Sequence, residues 1–239
     1  MIPALINPDR FLKFSRWAMP LLGLLAAMLM GLGMSLGLTV PPDYQQGETV
    51  LIMFIHVPAA WISMFAYACL GVSSFLAVIF RLPLANLAAR ACAPIGAAFT
   101  VLALATGSLW GRPMWGAWWV WDGRLTSVLI LLLFYLGYMA LRSAIDDETK
   151  ADRAAAILAL AGVINLPVIH FSVEWWNTLH QGASVFRKGG SSLSPVYLLP
   201  LLTMSLGYMA AFGAMWLQWI RTEVWRARAQ SAATRSLEA

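Results

Sequence analysis

Six separate stretches of mostly apolar residues decide what this chain can become. They lie at about 17–40, 58–80, 91–109, 125–141, 154–171 and 196–220, the second beginning at Pro58 or as early as Val50. A helix needs about 20 such residues to cross a bilayer. In lipid only helices and closed barrels satisfy every backbone N–H and C=O. The first stretch is too long for the apolar region of a signal peptide and ends in no clear cleavage site, so it reads as a helix. The charge content agrees: 11% of the 239 residues are charged and 60% are hydrophobic, where a soluble domain carries about 25% charged residues. A cytosolic enzyme, a nucleic-acid reader and a disordered chain are excluded. The expected fold is an all-α integral membrane protein, one domain over residues 1–239 with six transmembrane helices. No soluble domain fits between the spans, and no internal repeat is visible.

The formal net charge is +5, and the basic residues sit in short segments between spans. Arg10, Lys13, Arg16, Arg81, Arg90, Arg142, Lys150, Arg153, Arg221, Arg226, Arg228 and Arg235 fall on one side; Arg112, Arg124, Arg187 and Lys188 fall on the other. The positive-inside rule puts both termini in the cytoplasm. The connectors at about 41–57, 110–124 and 172–195 then face outward. Membrane orientation accounts for the basic balance, and no nucleic acid is expected as a partner. Cys69 and Cys92 lie in apolar stretches and read as buried thiols; neither CxxC nor CxxCH occurs.

Chemistry concentrates in the outward connectors. In His56-Val57-Pro58 the proline suits the first turn of a helix, which places His56 at the outer mouth of the second span. The next connector holds Trp110, Trp115, Trp118, Trp119 and Trp121. Trp anchors helices at the headgroup level, but five in one connector exceed that need. Trp115, Trp118, Trp119 and Asp122 fall at helical spacing, which predicts a short interfacial helix with one aromatic face. Such a face can cover a flat apolar ligand. Arg112 and Arg124 bracket the segment, either as interfacial anchors or as partners for acidic groups of that ligand. Asp122 either meets the ligand or orients the connector through backbone or Arg124.

The last outward connector contains Glu174-Trp175-Trp176-Asn177 and His180, following His170. All three histidines of the chain therefore stand at or beside the outer surface. They are three unrelated interfacial residues, or two of them ligate a metal. Two imidazoles fall short of the four protein ligands of a structural zinc site. They suffice for haem, whose porphyrin supplies four nitrogens, whose face suits the tryptophans and whose propionates suit the arginines. Without CxxCH the haem would be non-covalent haem b. Ligands at the rim suit a haem that is loaded, presented and released.

The segment WGRPMWGAWWVWDGRLTS at 110–127 resembles the tryptophan-rich "WWD" signature of haem-handling proteins. With HVPAA at 56–60, EWWNTLHQG at 174–182, the six spans and the length, the chain is most similar to the haem exporter protein C (CcmC) family of bacterial cytochrome c maturation. The resemblance covers nearly the whole chain. It implies that His56 and His180 are the axial haem ligands. It also implies that Trp110, Arg112, Trp115, Trp118, Trp119, Trp121, Asp122 and Arg124 belong to the platform that binds haem and meets the haem chaperone. His170 has no ligand role in the family and is expected to pack. The implied partners are the chaperone CcmE, to whose histidine haem is attached, an ABC-type ATPase, a second membrane subunit and a small membrane peptide. The implied location is the bacterial inner membrane, surrounded by lipid, with the haem site facing the periplasm. No GxxxxGK[ST] occurs, so nucleotide belongs to a partner. A permease moving haem through the bundle would want polar residues at mid-span; Ser74, Thr100 and Asn165 are weak candidates. A structural subunit using the Trp segment as a docking hot spot is a third reading.

Overall fold

The computed structural model describes residues 7–238 apart from 183, 186 and 188, with side chains described up to 233. Lys188, placed on the outward side from the sequence, lies outside the described residues, as does the side chain of Arg235. Among the described residues seven α-helices follow one another: α1 (Pro8–Gly37), α2 (Met53–Phe80, entered through a 3₁₀ turn at Glu48–Ile52), α3 (Pro83–Trp115), α4 (Gly123–Ala144), α5 (Glu148–Gly162), α6 (Asn165–Trp175) and α7 (Pro195–Glu238). Six stretches of the described residues are long and apolar enough to cross a membrane, with α5 and α6 together forming one of them.

The starts follow local rules. Asn7 caps α1 by accepting from the N–H groups of Asp9 and Arg10, and Asp147 caps α5 through Thr149 and Lys150. Pro8, Pro83 and Pro195 open their helices, where a missing N–H costs nothing. Several helices outrun the apolar stretches that marked them. α3 has 33 residues and α7 has 44, about 50 and 66 Å, against roughly 30 Å of hydrocarbon. Ala, Arg, Gln and Glu, good helix formers, carry α7 beyond Ile220.

Two expectations are corrected, and one span, otherwise as expected, is jointed. Pro58 is not in the first turn of its helix: α2 already starts at Met53, so His56 belongs to that first turn. The fifth span is interrupted at Val163 and Ile164. Pro167 stands in the first turn of α6, where its ring prevents an unbroken ladder from passing through the preceding turn. The tryptophan segment contains no separate interfacial helix. Trp110 to Trp115 complete α3, Gly116 ends it in the left-handed region at φ 74°, and 117–122 run without helix to the α4 cap. The helical spacing of Trp115, Trp118, Trp119 and Asp122 thus spans a helix end, an extended strip and a cap.

Small residues set the packing. Ala59, Ala66, Ala89, Ala93, Ala97 and Ala103 are buried, which lets helices approach closely where lipid offers no hydrophobic drive. Gly96 leaves room for Tyr135, whose hydroxyl donates to the Ser63 carbonyl at 2.8 Å and ties α4 to α2. α1 lies along α7 by reciprocal close approach: a Cβ on Gly33 would meet the Met204 backbone nitrogen at 2.9 Å, and one on Gly207 would meet that of Met30 at 2.9 Å. Large apolar side chains such as Leu21, Met28, Leu133 and Leu206 project outward from the bundle, as a lipid-facing surface requires. One end of the bundle gathers Asp9, Arg90, Arg142, Glu148, Asp152, Arg221 and Arg228 in ion pairs and hydrogen bonds. The other end gathers the histidines and the tryptophans of 110–121 and 175–176.

Candidate functional site

At that second end a cavity of about 310 Å³ opens between α2, α3, α4, α6, the start of α7 and the connectors 38–52 and 176–194. Its upper wall carries His56, Trp110, Trp115, Trp119, Arg124 and His180, while Ala60, Met64, Val128 and Leu201 line it deeper in the bundle. A cavity of this size, mostly apolar with a few convergent polar groups, suits a small organic ligand.

The two histidines are presented in different ways. His56 stands on the rigid first turn of α2 and its Nδ1 faces the Ala103 carbonyl at 3.0 Å and the Thr106 hydroxyl at 3.1 Å, both on α3. Donation from Nδ1–H to the carbonyl leaves Nε2 with its lone pair. Gly107 makes the approach possible, since a Cβ there would come within 2.9 Å of His56 Cε1. His180 sits in the connector after α6, with Nδ1 3.2 Å from the Gln181 carbonyl. Burial pushes its imidazole below the ordinary histidine value and Arg124 adds to the effect, so a neutral ring is favoured. An acceptor hydrogen-bonded to one ring nitrogen is the usual way a protein aims the other at a metal.

The ring centroids are 6.3 Å apart, with planes inclined at 37°. Two imidazoles bound on opposite sides of one metal at about 2.0 Å each have centroids roughly 6.2 Å apart. The interplanar angle is free when both planes contain the common axis. Among the described residues no three His, Cys, Asp or Glu side chains come together, so a metal here would need most of its ligands from elsewhere, as in a porphyrin.

The tryptophan segment divides. Trp110 stands edge-on to His56 at 5.7 Å and donates its indole N–H to Gln46 at 3.0 Å. Trp115 lies 6.1 Å from the His180 ring. The Trp119 indole N–H is buried and finds no acceptor among the described residues, an unpaired donor in the wall of the cavity. Trp118 and Trp121 are 56% and 76% exposed and line nothing. The two arginines part company as well. Arg124 lines the cavity and donates to the Ser172 hydroxyl at 2.9 Å. Arg112 donates to the Gly116 carbonyl at the end of its own helix, a carbonyl cap that leaves it outside the cavity. Asp122 caps α4 by accepting from the Leu125 N–H at 2.8 Å and also stays outside the wall. His170, expected to pack, is exposed, its ring edge-on to Phe171 at 4.7 Å.

Several contributors escaped the sequence. Ala103 acts through a carbonyl, which leaves no trace in residue type. Gly107 and Thr106 follow His56 by about 50 positions and acquire meaning only once α2 lies on α3. Gln46 had a weak signal, one of two adjacent amides in an outward connector.

The family model described as Heme exporter protein C matches residues 1–235. The chain is 55% identical over 227 residues to the Heme exporter protein C of Bradyrhizobium diazoefficiens, covering 95% of this chain and 86% of that protein. It is 48% identical over 203 residues to the protein of that description from Escherichia coli strain K12, covering 84% and 82%. A putative cytochrome c biosynthesis ccmC-like mitochondrial protein of Marchantia polymorpha is 45% identical over 205 residues, covering 83% and 87%. The chain belongs to the haem exporter protein C (CcmC) family of cytochrome c maturation.

Proposed function

We propose that this chain binds haem in the cavity between His56 and His180 and hands it to the haem chaperone CcmE at the periplasmic face of the bacterial inner membrane. The observation that carries the reading is the 6.3 Å separation of two imidazoles, each with Nδ1 already facing an acceptor. The cargo brings an iron with two open axial positions, a flat apolar face and two carboxylates. His56 and His180 fill the axial positions through Nε2. Trp110, Trp115 and Trp119 cover the apolar face, with the unpaired Trp119 N–H available to a polar edge. Arg124 meets a propionate; Arg112 does not. Exposed Trp118 and Trp121 remain for contact with the chaperone. Positioning is then the chain's main contribution: a fixed cargo presents one edge to the acceptor histidine. The ATPase, the second membrane subunit and the small peptide act beside this chain, driving release of the loaded chaperone.

Haemin added to the detergent-purified full chain should give the absorption spectrum of low-spin, bis-imidazole haem. Folded protein that takes up no haemin, or takes it up with a high-spin spectrum, overturns the reading. The spectrum should also hold as pH falls. An ordinary imidazole is half protonated at about pH 6.5, but His180 is held below that value by burial and Arg124. Protons therefore compete with iron only at lower pH, and a titration should show the low-spin bands persisting through pH 6.5 and fading below it. Gly107→Ala should be damaging despite its size. Its methyl would press on His56, turn the ring off the Ala103 carbonyl and weaken haemin binding about tenfold, read by the same spectrum in protein that still folds.

A further inference from the structure

His180 poses a mechanical difficulty. An axial ligand must be held within about half an ångström of its working place, yet His180 lies in the connector 176–194, with no helix of its own. What fixes it starts from Asp122, the acidic residue of the tryptophan segment, which does not touch the cavity. Its two carboxylate oxygens are used separately. Oδ1 accepts from the Leu125 N–H at 2.8 Å, fastening the residue to the first turn of α4. Oδ2 accepts from the Thr178 hydroxyl. The Thr178 oxygen in turn accepts from the His180 backbone N–H at 3.0 Å.

We infer that Asp122 and Thr178 are positioning residues that fasten the His180 backbone to the start of α4 and so hold its imidazole opposite His56. The fit is chemical as well as geometric. A hydroxyl donates one hydrogen bond and still accepts another, so threonine links a carboxylate to an N–H as valine cannot. The same two segments meet once more, where Trp176 packs on Gly123 and a Cβ would come within 3.0 Å of its ring. With the backbone fixed from both sides, the Nδ1 contact to the Gln181 carbonyl is left to set the ring. Asp122 thus serves the haem site without contacting haem. The inference rests on the axial-ligand reading above, and its test separates the two.

The test compares the full-length protein with Thr178→Val, Thr178→Ser and His180→Ala, each purified, loaded with haemin, and titrated with free imidazole. Thr178→Val is expected to bind haemin about tenfold more weakly, with a growing high-spin fraction. Free imidazole should restore its low-spin bands as it restores those of His180→Ala, and Thr178→Ser should match the wild type. Thr178→Ala replaces the valine variant if that one fails to fold, with the same expectation. A wild-type spectrum in His180→Ala removes the ligand assignment itself. A changed His180→Ala beside an unchanged Thr178→Val or Thr178→Ala overturns the positioning role alone. So does a Thr178 variant that loses low-spin haem and is not restored by imidazole while His180→Ala is, because the defect would then lie elsewhere than the axial position.

Discussion

Replacing His56 and His180 together by alanine should abolish the low-spin spectrum and cut haemin retention by about 100-fold or more, beyond the 10–100-fold typical of outer-shell changes. The two single variants should not be equivalent. His56 is held by two acceptors on a neighbouring helix, at 3.0 and 3.1 Å, and sits on the first turn of α2. Its position is preorganised, so a bond from it to iron would carry little ordering cost. His180 hangs on a connector and must keep its place through Thr178. His56→Ala should therefore weaken haemin binding more than His180→Ala, and both should leave a high-spin, one-imidazole haem. Equilibrium titration followed by absorption separates the cases. Equal losses would mean that the connector is as rigid as the helix. A bis-imidazole spectrum in the double variant would mean that other side chains ligate the iron. His170 is the one histidine remaining and it lines the same cavity, so it would be the next residue to replace.

The unequal holding of the two histidines also explains what could be read from sequence. The spans were legible because burial in lipid demands long apolar runs, and the demand is written in residue type. The histidines were legible because three such residues at one end of six spans form a pattern. Chain geometry between them was not. The spacing of Trp115, Trp118, Trp119 and Asp122 obeys the helical period, yet Gly116 at φ 74° divides the segment. A glycine within a short aromatic run was the available sign. Asp122 carried a second sign, an acidic residue before Gly-Arg-Leu-Thr, the arrangement of an N-cap, and it does cap α4. The break at 163–164 was hidden in a mostly apolar run, although Asn165 and Pro167 pointed to it. Arg112 and Arg124 look alike in sequence because both bracket the tryptophans. They part because one stands in the last turn of α3, where the terminal carbonyls need donors, while the other lies in the first turn of α4, beside Ser172 of α6. Only the fold could assign Thr178, since a threonine two residues before a histidine has no meaning until a carboxylate faces it.

At the opposite end of the bundle, Asp152→Ala should destabilise the protein by about 3 kcal/mol without altering the haem spectrum. Asp152 on α5 accepts from Asn86 and Arg90 of α3 and from Arg142 of α4. The side chains of Arg90, Arg142 and Asp152 are only 14%, 19% and 17% exposed. This ion pair differs from surface pairs, which contribute little. Removing the carboxylate leaves two guanidiniums side by side, largely shielded from solvent, with Glu148 reaching only Arg90. The loss is therefore the cost of unpaired buried charge as well as of the missing hydrogen bonds. Asp152→Asn keeps an acceptor and costs less. Thermal unfolding in detergent, followed by helical signal, should order the three proteins as wild type, asparagine, alanine. The haem spectrum should stay the same because Arg90 and Gly107 are 17 residues apart on α3, roughly 25 Å along the axis, with a packed alanine-rich interface between. A spectrum that shifted with Asp152 would show that the ion cluster and the histidine pair are coupled through α3. In that case, closure of one end of the bundle would set the spacing of the two histidines at the other.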